Sequence, residues 1–496
     1  MIEILLNDKA YEQDIRELLM AFYPGETFSY EPVSGSDFSV EGMVDSGRKY
    51  FYLKIISHKR TGFPALPADM GEEIEAEMEQ AEEPVEVHYE NRTETKSRIK
   101  RRLYALLVLR TGRLLPWGTL TGIRPAKIVM TKLEEGMTEE EITAYMKETY
   151  YTSQEKIALA VKTAVHEKEL LKQLDYENGY SLYIGIPFCP TTCLYCSFTS
   201  FPISQWKGRT RLYLEALCHE MKSVAQSMKG KILNSVYFGG GTPTSLEAQD
   251  LDWLLEKLES TFDLSRIKEL TVEAGRPDSI TREKLLVLKK HGVTRISVNP
   301  QTMKQGTLDL IGRHHTVDMV KECFAMAREE GFDNINMDLI VGLPEERLED
   351  VQNTMEEIRR LGPDSVTVHS LAIKRAARLN TMKEVYKDLK ITGTQEMIDL
   401  TAQYAADMGM EPYYLYRQKN MAGNFENVGY AKPGKACLYN ILIMEEQQTI
   451  VACGAGSTTK VLHREENRIE RAENVKDVEQ YISRIDEMIE RKRKLL

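Results

Sequence analysis

The 496-residue chain has little cysteine, few aromatic residues and no excess of positive charge. Seven cysteines are too few and too unevenly spread for a disulfide framework, and their number is odd. Basic residues number 65 against 76 acidic ones, a net charge of −11, which argues against nucleic acid or an anionic membrane as the main partner. No run of about 18 apolar residues predicts a membrane span, and the first residues lack the features of a secretion signal. We therefore expect a cytoplasmic protein.

Composition and periodicity divide the chain into four predicted segments. Residues 1–96 contain strand-like runs and an acidic stretch at 69–90, which we interpret as a solvated part of a small α+β region. Residues 97–178 have the apolar spacing of helices. Short β-rich runs alternate with longer amphipathic ones over 179–388, and 389–496 is a mixed C-terminal domain that we expect to cover the substrate.

Six strand-like runs in the 179–388 segment are separated by helical patterns. The runs are SLYIGIP, SVYFG, ELTVEA, RISVN, NINMDLI and SVTVHS. Serial βα units predict a parallel sheet, and right-handed crossovers would curl it into a partial (β/α)6 barrel similar to a TIM barrel. The predicted fold is thus α/β, with an N-terminal α+β and helical extension and the C-terminal mixed domain. In such barrels the chemistry lies at the carboxyl ends of the strands.

Three of the seven cysteines fall within eight residues, directly after the first of these strands. They are Cys189, Cys193 and Cys196. Three thiolates in one loop suit an iron–sulfur cube in which one iron is left open for a small molecule. Structural zinc normally takes four protein ligands in paired sets, and no second pair is nearby. A disulfide is disfavoured by the expected compartment and the odd thiol count. We therefore predict that these cysteines bind a [4Fe–4S] cluster.

The string SLYIGIPFCPTTCLYCSF closely resembles the cluster loop of radical S-adenosylmethionine (SAM) enzymes. With FGGGTPT and DLIVGLP, it resembles more narrowly the oxygen-independent coproporphyrinogen III oxidase family, over about residues 180–460. The N-terminal PWGTLTGIRPAKI looks like that of HemZ-type members, the coproporphyrinogen dehydrogenases. The resemblance implies that the open iron chelates SAM, of which one or two molecules bind, and that reductive cleavage gives a 5′-deoxyadenosyl radical.

The resemblance also implies which residues surround the cofactors. The glycine-rich turn after the second strand would hold the SAM amino group, since glycine permits close backbone approach. Glu273 closes the third strand, where a carboxylate suits a ribose diol. The implied contacts are Tyr183, Tyr195, Gly239, Gly240, Gly241, Thr242, Glu273, Gln301, Arg313, Asp338 and Ala372. Without the resemblance, the glycines could form an ordinary tight turn, Tyr183 could line the barrel interior, and Asp338 could be a helix cap.

Several positions depart from the patterns of the family. Gly185 replaces a histidine, and Phe198 stands where the coproporphyrinogen oxidase proper has a fourth cysteine. Gly275 and Arg276 replace the usual EANP sequence. Haem-chaperone relatives carry a His-Asn motif in the C-terminal domain, and the matching position here is Tyr439. The missing histidine argues against the chaperone alternative.

A porphyrinogen substrate would require fixed positive charge, because coproporphyrinogen III carries four propionates. Lys374, Arg375 and Arg378 follow the sixth strand, and Arg417 lies beside an aromatic run. Arginine pairs bidentately with carboxylates, which favours these residues as propionate contacts. The alternative for each of them is solvated surface charge.

The function implied by the resemblance is radical oxidative decarboxylation of coproporphyrinogen III propionates to vinyl groups, giving protoporphyrinogen IX in haem biosynthesis. Such an oxidoreductase would need an electron donor such as flavodoxin or ferredoxin. Two alternatives stay open at this point. One is a different radical SAM reaction on a tetrapyrrole, such as methyl transfer or haem breakdown, and the other is a haem-binding chaperone.

Overall fold

The structure is a computed structural model in which the chain forms two compact units. Unit 1 comprises Met1–Ala164 and Leu415–Glu426, and unit 2 comprises Val165–Tyr414 and Asn427–Leu496. The structure describes all residues except 59–63, 68–69, 123, 373, 375, 383–384, 387–388, 418–424 and 467. The four segments drawn from the sequence stay a prediction, and the boundary placed between residues 96 and 97 falls inside a helix.

Unit 1 is built on a small sheet with helices packed against it. Its strands are β1 (Ile2–Leu6), β2 (Phe28–Ser29), β3 (Phe38–Val44), β4 (Tyr50–Ser57) and β5 (Val85–Glu86), in the order β2-β1-β3-β4-β5. Its helices are α1 (Glu12–Phe22), α2 (Glu72–Glu79), α3 (Arg92–Thr111), α4 (Pro125–Glu134), α5 (Glu139–Tyr150) and α6 (Gln154–Leu171), the last of which continues into unit 2. Within the acidic stretch, α2 buries only Ile74.

Unit 2 contains the remaining strands, with β14 ending in unit 1. These are β6 (Gly179–Ile186), β7 (Phe188–Cys189), β8 (Phe201–Pro202), β9 (Ile232–Gly240), β10 (Glu269–Gly275), β11 (Arg295–Val298), β12 (Ile335–Val341), β13 (Ser365–Ser370), β14 (Glu411–Tyr416), β15 (Asn427–Ala431), β16 (Thr449–Cys453), β17 (Thr458–His463) and β18 (Arg468–Glu473). The helices are α7 (Thr210–Ser227), α8 (Ala248–Thr261), α9 (Arg282–Lys290), α10 (Gln305–Leu310), α11 (Val317–Glu329), α12 (Leu348–Leu361), α13 (Arg378–Thr381), α14 (Gln395–Asp407), α15 (Leu438–Glu445), α16 (Val478–Ser483) and α17 (Ile485–Arg493).

The six predicted strands are confirmed as neighbours in one sheet. Strands β6, β9, β10, β11, β12 and β13 pair in parallel in that order. The whole sheet has eleven strands in the order β14-β15-β13-β12-β11-β10-β9-β6-β16-β17-β18, and this order does not close on itself among the described residues. The fold is therefore the expected partial barrel.

Strand β16 is a seventh parallel strand that the sequence does not predict. It pairs with β6 over five residues, although the two strands are more than 250 positions apart along the chain. The run TIVAC is short and apolar, and periodicity cannot tell which strand such a run joins. On the other side of the barrel β15 pairs antiparallel with β13.

The parallel arrangement decides where the functional loops lie. Because the strands share one direction, the turns after β6, β9, β10, β11, β12 and β13 emerge at one edge of the sheet. These are the turns that carry the cysteines and the predicted cofactor contacts. No helix among the described residues is long and apolar enough to cross a bilayer.

Candidate cluster and cofactor site

The three cysteines lie in the loop between β6 and α7. Cys193 is buried, whereas Cys189 and Cys196 are half-buried. Burial raises the pKa of the Cys189 thiol and raises that of Cys196 to about 11. Iron binds the thiolate, so these thiols require a cationic partner to lose their protons, and iron itself would supply that charge.

The donor set of the cysteine loop consists of three thiols. Among the described residues, no three His, Cys, Asp or Glu side chains lie close enough together to hold one metal ion. In an iron–sulfur cube each cysteine binds a different iron, and three cysteines leave the fourth iron open. The chemistry of the donor set therefore fits a [4Fe–4S] cluster.

Loops from other strands hold the cysteine loop in place. The Thr191 hydroxyl donates a hydrogen bond of 3.0 Å to the carbonyl of Gly312, in the loop after α10. The Leu194 amide donates to the carbonyl of Ile311 at 2.9 Å, and its carbonyl accepts from the amide of Leu379 in α13 at 3.1 Å. The cluster loop is thus fixed by backbone groups that follow β11 and β13.

The glycine-rich turn packs directly against the entry to the cysteine loop. The Gly241 amide donates to the carbonyl of Ile186 at 2.8 Å, and the Thr242 amide donates to the carbonyl of Phe188 at 2.7 Å. The Thr242 hydroxyl lies 3.4 Å from Cys189 Sγ. A Cβ at position 241 would lie only 2.5 Å from the Phe188 carbonyl oxygen. Glycine is therefore required there for the two loops to meet.

Glu273 lies at the end of β10, beside the glycine-rich turn. Tyr237 donates its hydroxyl to Glu273 Oε1 at 2.5 Å, and Glu273 makes no other hydrogen bond among the described residues. A Cβ at Gly239 would lie 3.3 Å from this carboxyl group, so glycine leaves room for it. Burial raises the pKa of Glu273 to about 7, while the Tyr237 hydrogen bond acts in the opposite direction. A half-buried carboxylate with an oxygen to spare can accept from a ribose diol.

Two tyrosines that the sequence did not assign to the cofactor site, Tyr237 and Tyr439, complete a stack with Tyr183. The rings of Tyr237 and Tyr439 lie 4.5 Å apart, and the rings of Tyr183 and Tyr237 lie 6.3 Å apart, with interplanar angles of 21° and 13°. The sequence contains a signal that identifies Tyr237 as the counterpart of Tyr183, because the strands SLYIG and SVYFG have serine, tyrosine and glycine at the same positions. Their serines, tyrosines and glycines pair in register.

Gln301, in the turn after β11, has an unusual backbone conformation. Its φ is 69°, a region that residues other than glycine seldom occupy. Backbone hydrogen bonds of 3.0 Å hold it there, from its amide to the Asp338 carbonyl and from the Ile340 amide to its own carbonyl. Its side-chain Oε1 is buried and has no hydrogen-bond partner among the described residues. Strain together with an unsatisfied polar atom marks a position where a ligand would bind.

Arg313 and His315 add buried nitrogen atoms close to the same turn. Arg313 donates to the Asn299 carbonyl at 2.6 Å, and its Nε has no hydrogen-bond partner in the part of the chain that the structure describes. Neither ring nitrogen of His315 has a hydrogen-bond partner within the described ranges, and burial, with Arg313 nearby, lowers the pKa of His315 to about 3. A neutral histidine and an incompletely paired guanidinium could bind an anionic or polar ligand group, whereas His314 is exposed.

The other implied cofactor contacts belong to the same edge of unit 2. Tyr195 lies half-buried in the cysteine loop, and Ala372 lies half-buried just after β13. Asp338 is half-buried on β12, where its Oδ1 accepts a hydrogen bond of 2.7 Å from Asn336. These assignments stay predictions, as do those of the cysteines and of the turn after β9.

The predicted substrate contacts have different surroundings. Lys374 and Arg378 are exposed after β13, and Lys374 Nζ lies 5.5 Å from the ring centre of Phe198, which is 70% exposed. Arg375 lies outside the described residues. Arg417 belongs to unit 1 and is 4% exposed.

The guanidinium of Arg417 already has contacts inside unit 1. Arg417 donates to the Leu120 carbonyl at 2.7 Å and lies over the Trp117 ring at 5.4 Å. These contacts give the residue a structural role that needs no substrate. Its role as a propionate contact stays a prediction.

Comparison with known proteins shows the same architecture elsewhere. Residues 183–358 match the radical SAM superfamily. The coproporphyrinogen III oxidase HemN from Escherichia coli, described as a radical SAM enzyme, superposes with a TM-score of 0.52 and 22% identity, covering 65% of this chain and 73% of that one. The fold and the cysteine loop together define a radical SAM protein, a class that uses a [4Fe–4S] cluster and SAM.

Relatives identified by sequence show to which family of radical SAM proteins the chain belongs. The oxygen-independent coproporphyrinogen-III oxidase-like protein HemZ of Bacillus subtilis is 42% identical over 395 residues, 79% of each chain. The heme chaperone HemW of Bacillus subtilis is 36% identical over 195 residues, 39% of this chain and 51% of that one. The chain belongs to the HemZ family of oxygen-independent coproporphyrinogen-III oxidase-like proteins.

Proposed function

We propose that this protein converts two propionates of coproporphyrinogen III into vinyl groups, giving protoporphyrinogen IX. The observation that carries the proposal is the 42% identity with HemZ over 79% of both chains. The convergence of three thiols, a glycine-rich turn and a ribose-type carboxylate at one sheet edge supports a radical SAM oxidoreductase. We place the protein in haem biosynthesis and in the cytoplasm.

In this proposal the residues of the sheet edge divide the binding of the cofactors. When bound and reduced by one electron, the cluster and SAM supply a 5′-deoxyadenosyl radical that takes a β-hydrogen atom from a propionate. Cys189, Cys193 and Cys196 hold the cluster. The turn at 239–242 holds the SAM amino group, and Glu273 accepts from the ribose hydroxyls. The stack of Tyr183, Tyr237 and Tyr439 packs behind Glu273, to which Tyr237 donates a hydrogen bond.

The overall reaction requires an external electron donor and an electron acceptor. Each propionate loses a hydrogen atom, carbon dioxide and one electron, and a vinyl group is left. We propose flavodoxin or ferredoxin as the donor of the electron that cleaves SAM. Two propionates react, so two molecules of 5′-deoxyadenosine should form for each protoporphyrinogen IX.

The exposed cations after β13 are the proposed contacts for the propionates of the substrate that do not react. Lys374 and Arg378 are exposed. They lie beside the loop that carries the cysteines, because the Leu379 amide of α13 donates a hydrogen bond to the Leu194 carbonyl in that loop. Arg378 can pair bidentately with a propionate, whereas Lys374 acts as a point charge. We include Arg375 in this set on sequence grounds alone.

The tyrosine at position 439 makes the haem-chaperone alternative less favourable. Tyr439 stands where chaperone relatives carry histidine, and its buried ring packs against those of Tyr237 and Tyr183. A phenol can bind ferric haem iron, but this one faces other tyrosines and not an open surface. We therefore do not propose haem transport as the function.

An anaerobic assay with defined components tests the proposal. The reconstituted protein is incubated with SAM, a one-electron reductant, a separate electron acceptor and coproporphyrinogen III, and 5′-deoxyadenosine and oxidised porphyrins are measured by mass spectrometry. We expect both 5′-deoxyadenosine and protoporphyrin, and neither from the C196A variant. Deoxyadenosine with a different porphyrin mass would reject the substrate reaction, and stoichiometric haem binding without any deoxyadenosine would favour the chaperone.

A further inference from the structure

Arg276 is a buried arginine in the turn after β10, where the chain departs from the EANP pattern of the family. It is 3% exposed. Its Nε and Nη2 donate to the two carboxylate oxygens of Asp278 at 2.9 and 2.7 Å. Gly275, with a φ of 64°, makes the preceding turn possible. The guanidinium is therefore held in a single orientation by a bidentate partner.

The remaining nitrogen of this guanidinium points into the cysteine loop. Nη1 donates to the carbonyl and to the hydroxyl of Thr191 at 3.0 and 2.8 Å. The same nitrogen lies 3.6 Å from Cys193 Sγ, within the range of an N–H···S hydrogen bond. Arg276 thus contacts both the backbone and the middle cysteine of the loop.

Burying a guanidinium costs free energy unless its charge is paired with an opposite charge. The Arg276 guanidinium has a charged partner on one side only. Asp278 neutralises one side of Arg276, while the other side faces Thr191 and Cys193. Arg313 and His315 also act on Asp278, and His315 is neutral at ordinary pH because burial and the neighbouring Arg313 lower its pKa to about 3. Arg276, Arg313 and Asp278 together therefore carry a net positive charge, and Arg276 is the member of this group that contacts Cys193.

We propose that Arg276 is a positioning residue that hydrogen-bonds to Cys193 and raises the reduction potential of the cluster. The inference rests on Cys193 being a cluster ligand, which is part of the proposed function. Reduction adds one negative charge to the cluster, and a fixed cation nearby stabilises that charge. Hydrogen bonds to the ligating sulfur act in the same direction, because they withdraw electron density from it.

Replacing Arg276 provides the test, with a distant arginine as control. R276Q removes the charge, and R276K keeps the charge but cannot pair with Asp278 and contact the loop at the same time. The control is R328Q, since Arg328 also pairs with an aspartate, Asp364, at 2.7 Å. Each protein is reconstituted anaerobically, its iron and sulfide are measured, and the reduced cluster is titrated against potential by electron paramagnetic resonance.

At a fixed potential we expect the ratio of reduced to oxidised cluster to fall about tenfold in R276Q, which is ~59 mV for one electron. R276K should show a smaller fall, and R328Q should show none. Normal iron content with an unchanged potential in R276Q would overturn the proposal. Should R276Q fail to retain its cluster, an unchanged potential in R276K would overturn it equally.

A separate variant distinguishes this inference from the proposed function. If C193A retains a normal cluster, the assignment of Cys193 as a ligand fails, and the proposed function loses its central residue. If C193A loses the cluster and the Arg276 variants keep the wild-type potential, only the role of Arg276 fails.

Discussion

The turn after β9 and the segment after β13 both carry predicted ligand contacts, yet they are built in different ways. Backbone hydrogen bonds pin Gly241 and Thr242 against the strand that leads to Cys189. Lys374 and Arg378 are exposed side chains beside positions that the structure does not describe. The first region would bind its ligand through backbone geometry, which leaves little room for a side chain at Gly241. The second would bind its ligand through charge, which is spread over several side chains.

The largest difference between the two regions should appear when a thiol is removed from the cysteine loop, against which the turn after β9 packs. We expect C193A to lose the cluster and all SAM cleavage, since no other side chain in the loop can replace the ligand. C218A removes an isolated buried thiol in α7 and should keep the cluster, with a stability change of about 1 kcal/mol. Iron, sulfide and 5′-deoxyadenosine measurements check this. Retention of SAM cleavage in C193A would show that the cysteine loop tolerates substitution, and the contrast with the segment after β13 would then fail.

The glycine-rich turn should respond to a single methyl group. G241A places a Cβ 2.5 Å from the Phe188 carbonyl oxygen, so the turn and the cysteine loop must separate. We expect turnover to fall about 100-fold, as for other displacements of about an ångström in an active site. The matched control is G306A in α10, where a Cβ would meet nothing within 4 Å and helix propensity favours alanine. Equal activities of the two variants would contradict the packing argument.

Glu273 should make SAM affinity depend on pH. Its pKa in the folded protein is raised to about 7, so the ionised carboxylate is present above that pH and is lost as the pH falls through it. We therefore expect the Kd for SAM to rise on acidification through pH 7. In Y237F the loss of the hydrogen bond should raise the pKa of Glu273, so the weakening should begin at a higher pH.

Measurements of the Kd for SAM on the reconstituted protein check this prediction. They cover about pH 5.5–9, a range that extends to both sides of the Glu273 pKa of about 7. At pH 7 Y237F should bind SAM up to about tenfold more weakly, the size expected for a hydrogen bond to a charged group. Y180F changes a buried tyrosine at the opposite end of β6 and should leave the profile unchanged. Identical profiles for all three proteins would show that Glu273 does not bind the ribose.

The smallest effects should come from the exposed cations. We expect K374A and R378A each to raise the KM for coproporphyrinogen III about two- to fivefold, because exposed ion pairs contribute little. SAM cleavage without substrate should be unchanged, and the effect should shrink at high salt. K290A removes an exposed lysine from α9 and serves as the control. A 100-fold effect of either variant would mean that this segment is as constrained as the glycine-rich turn.

The six parallel strands and the cysteine loop could be predicted because each carries a local signal. Strand β16 could not, since its pairing with β6 depends on where the chain returns after more than 250 residues. Tyr439 was selected only as a departure from a haem-ligand motif, and its contact with Tyr237 requires α15 to fold against β9. Long-range pairings leave no periodic pattern in the sequence.

The sequence by itself determined the class of this protein, because three closely spaced cysteines after a strand and a glycine-rich turn after the next are local features. It also identified Arg276 as a departure from the family, without saying what the arginine does. Only the tertiary structure decided that this guanidinium is buried, paired with Asp278 and aimed at Cys193. The reason is physical: the direction of a buried charge depends on partners from several loops, and those loops meet only when the parallel strands bring their ends to one edge.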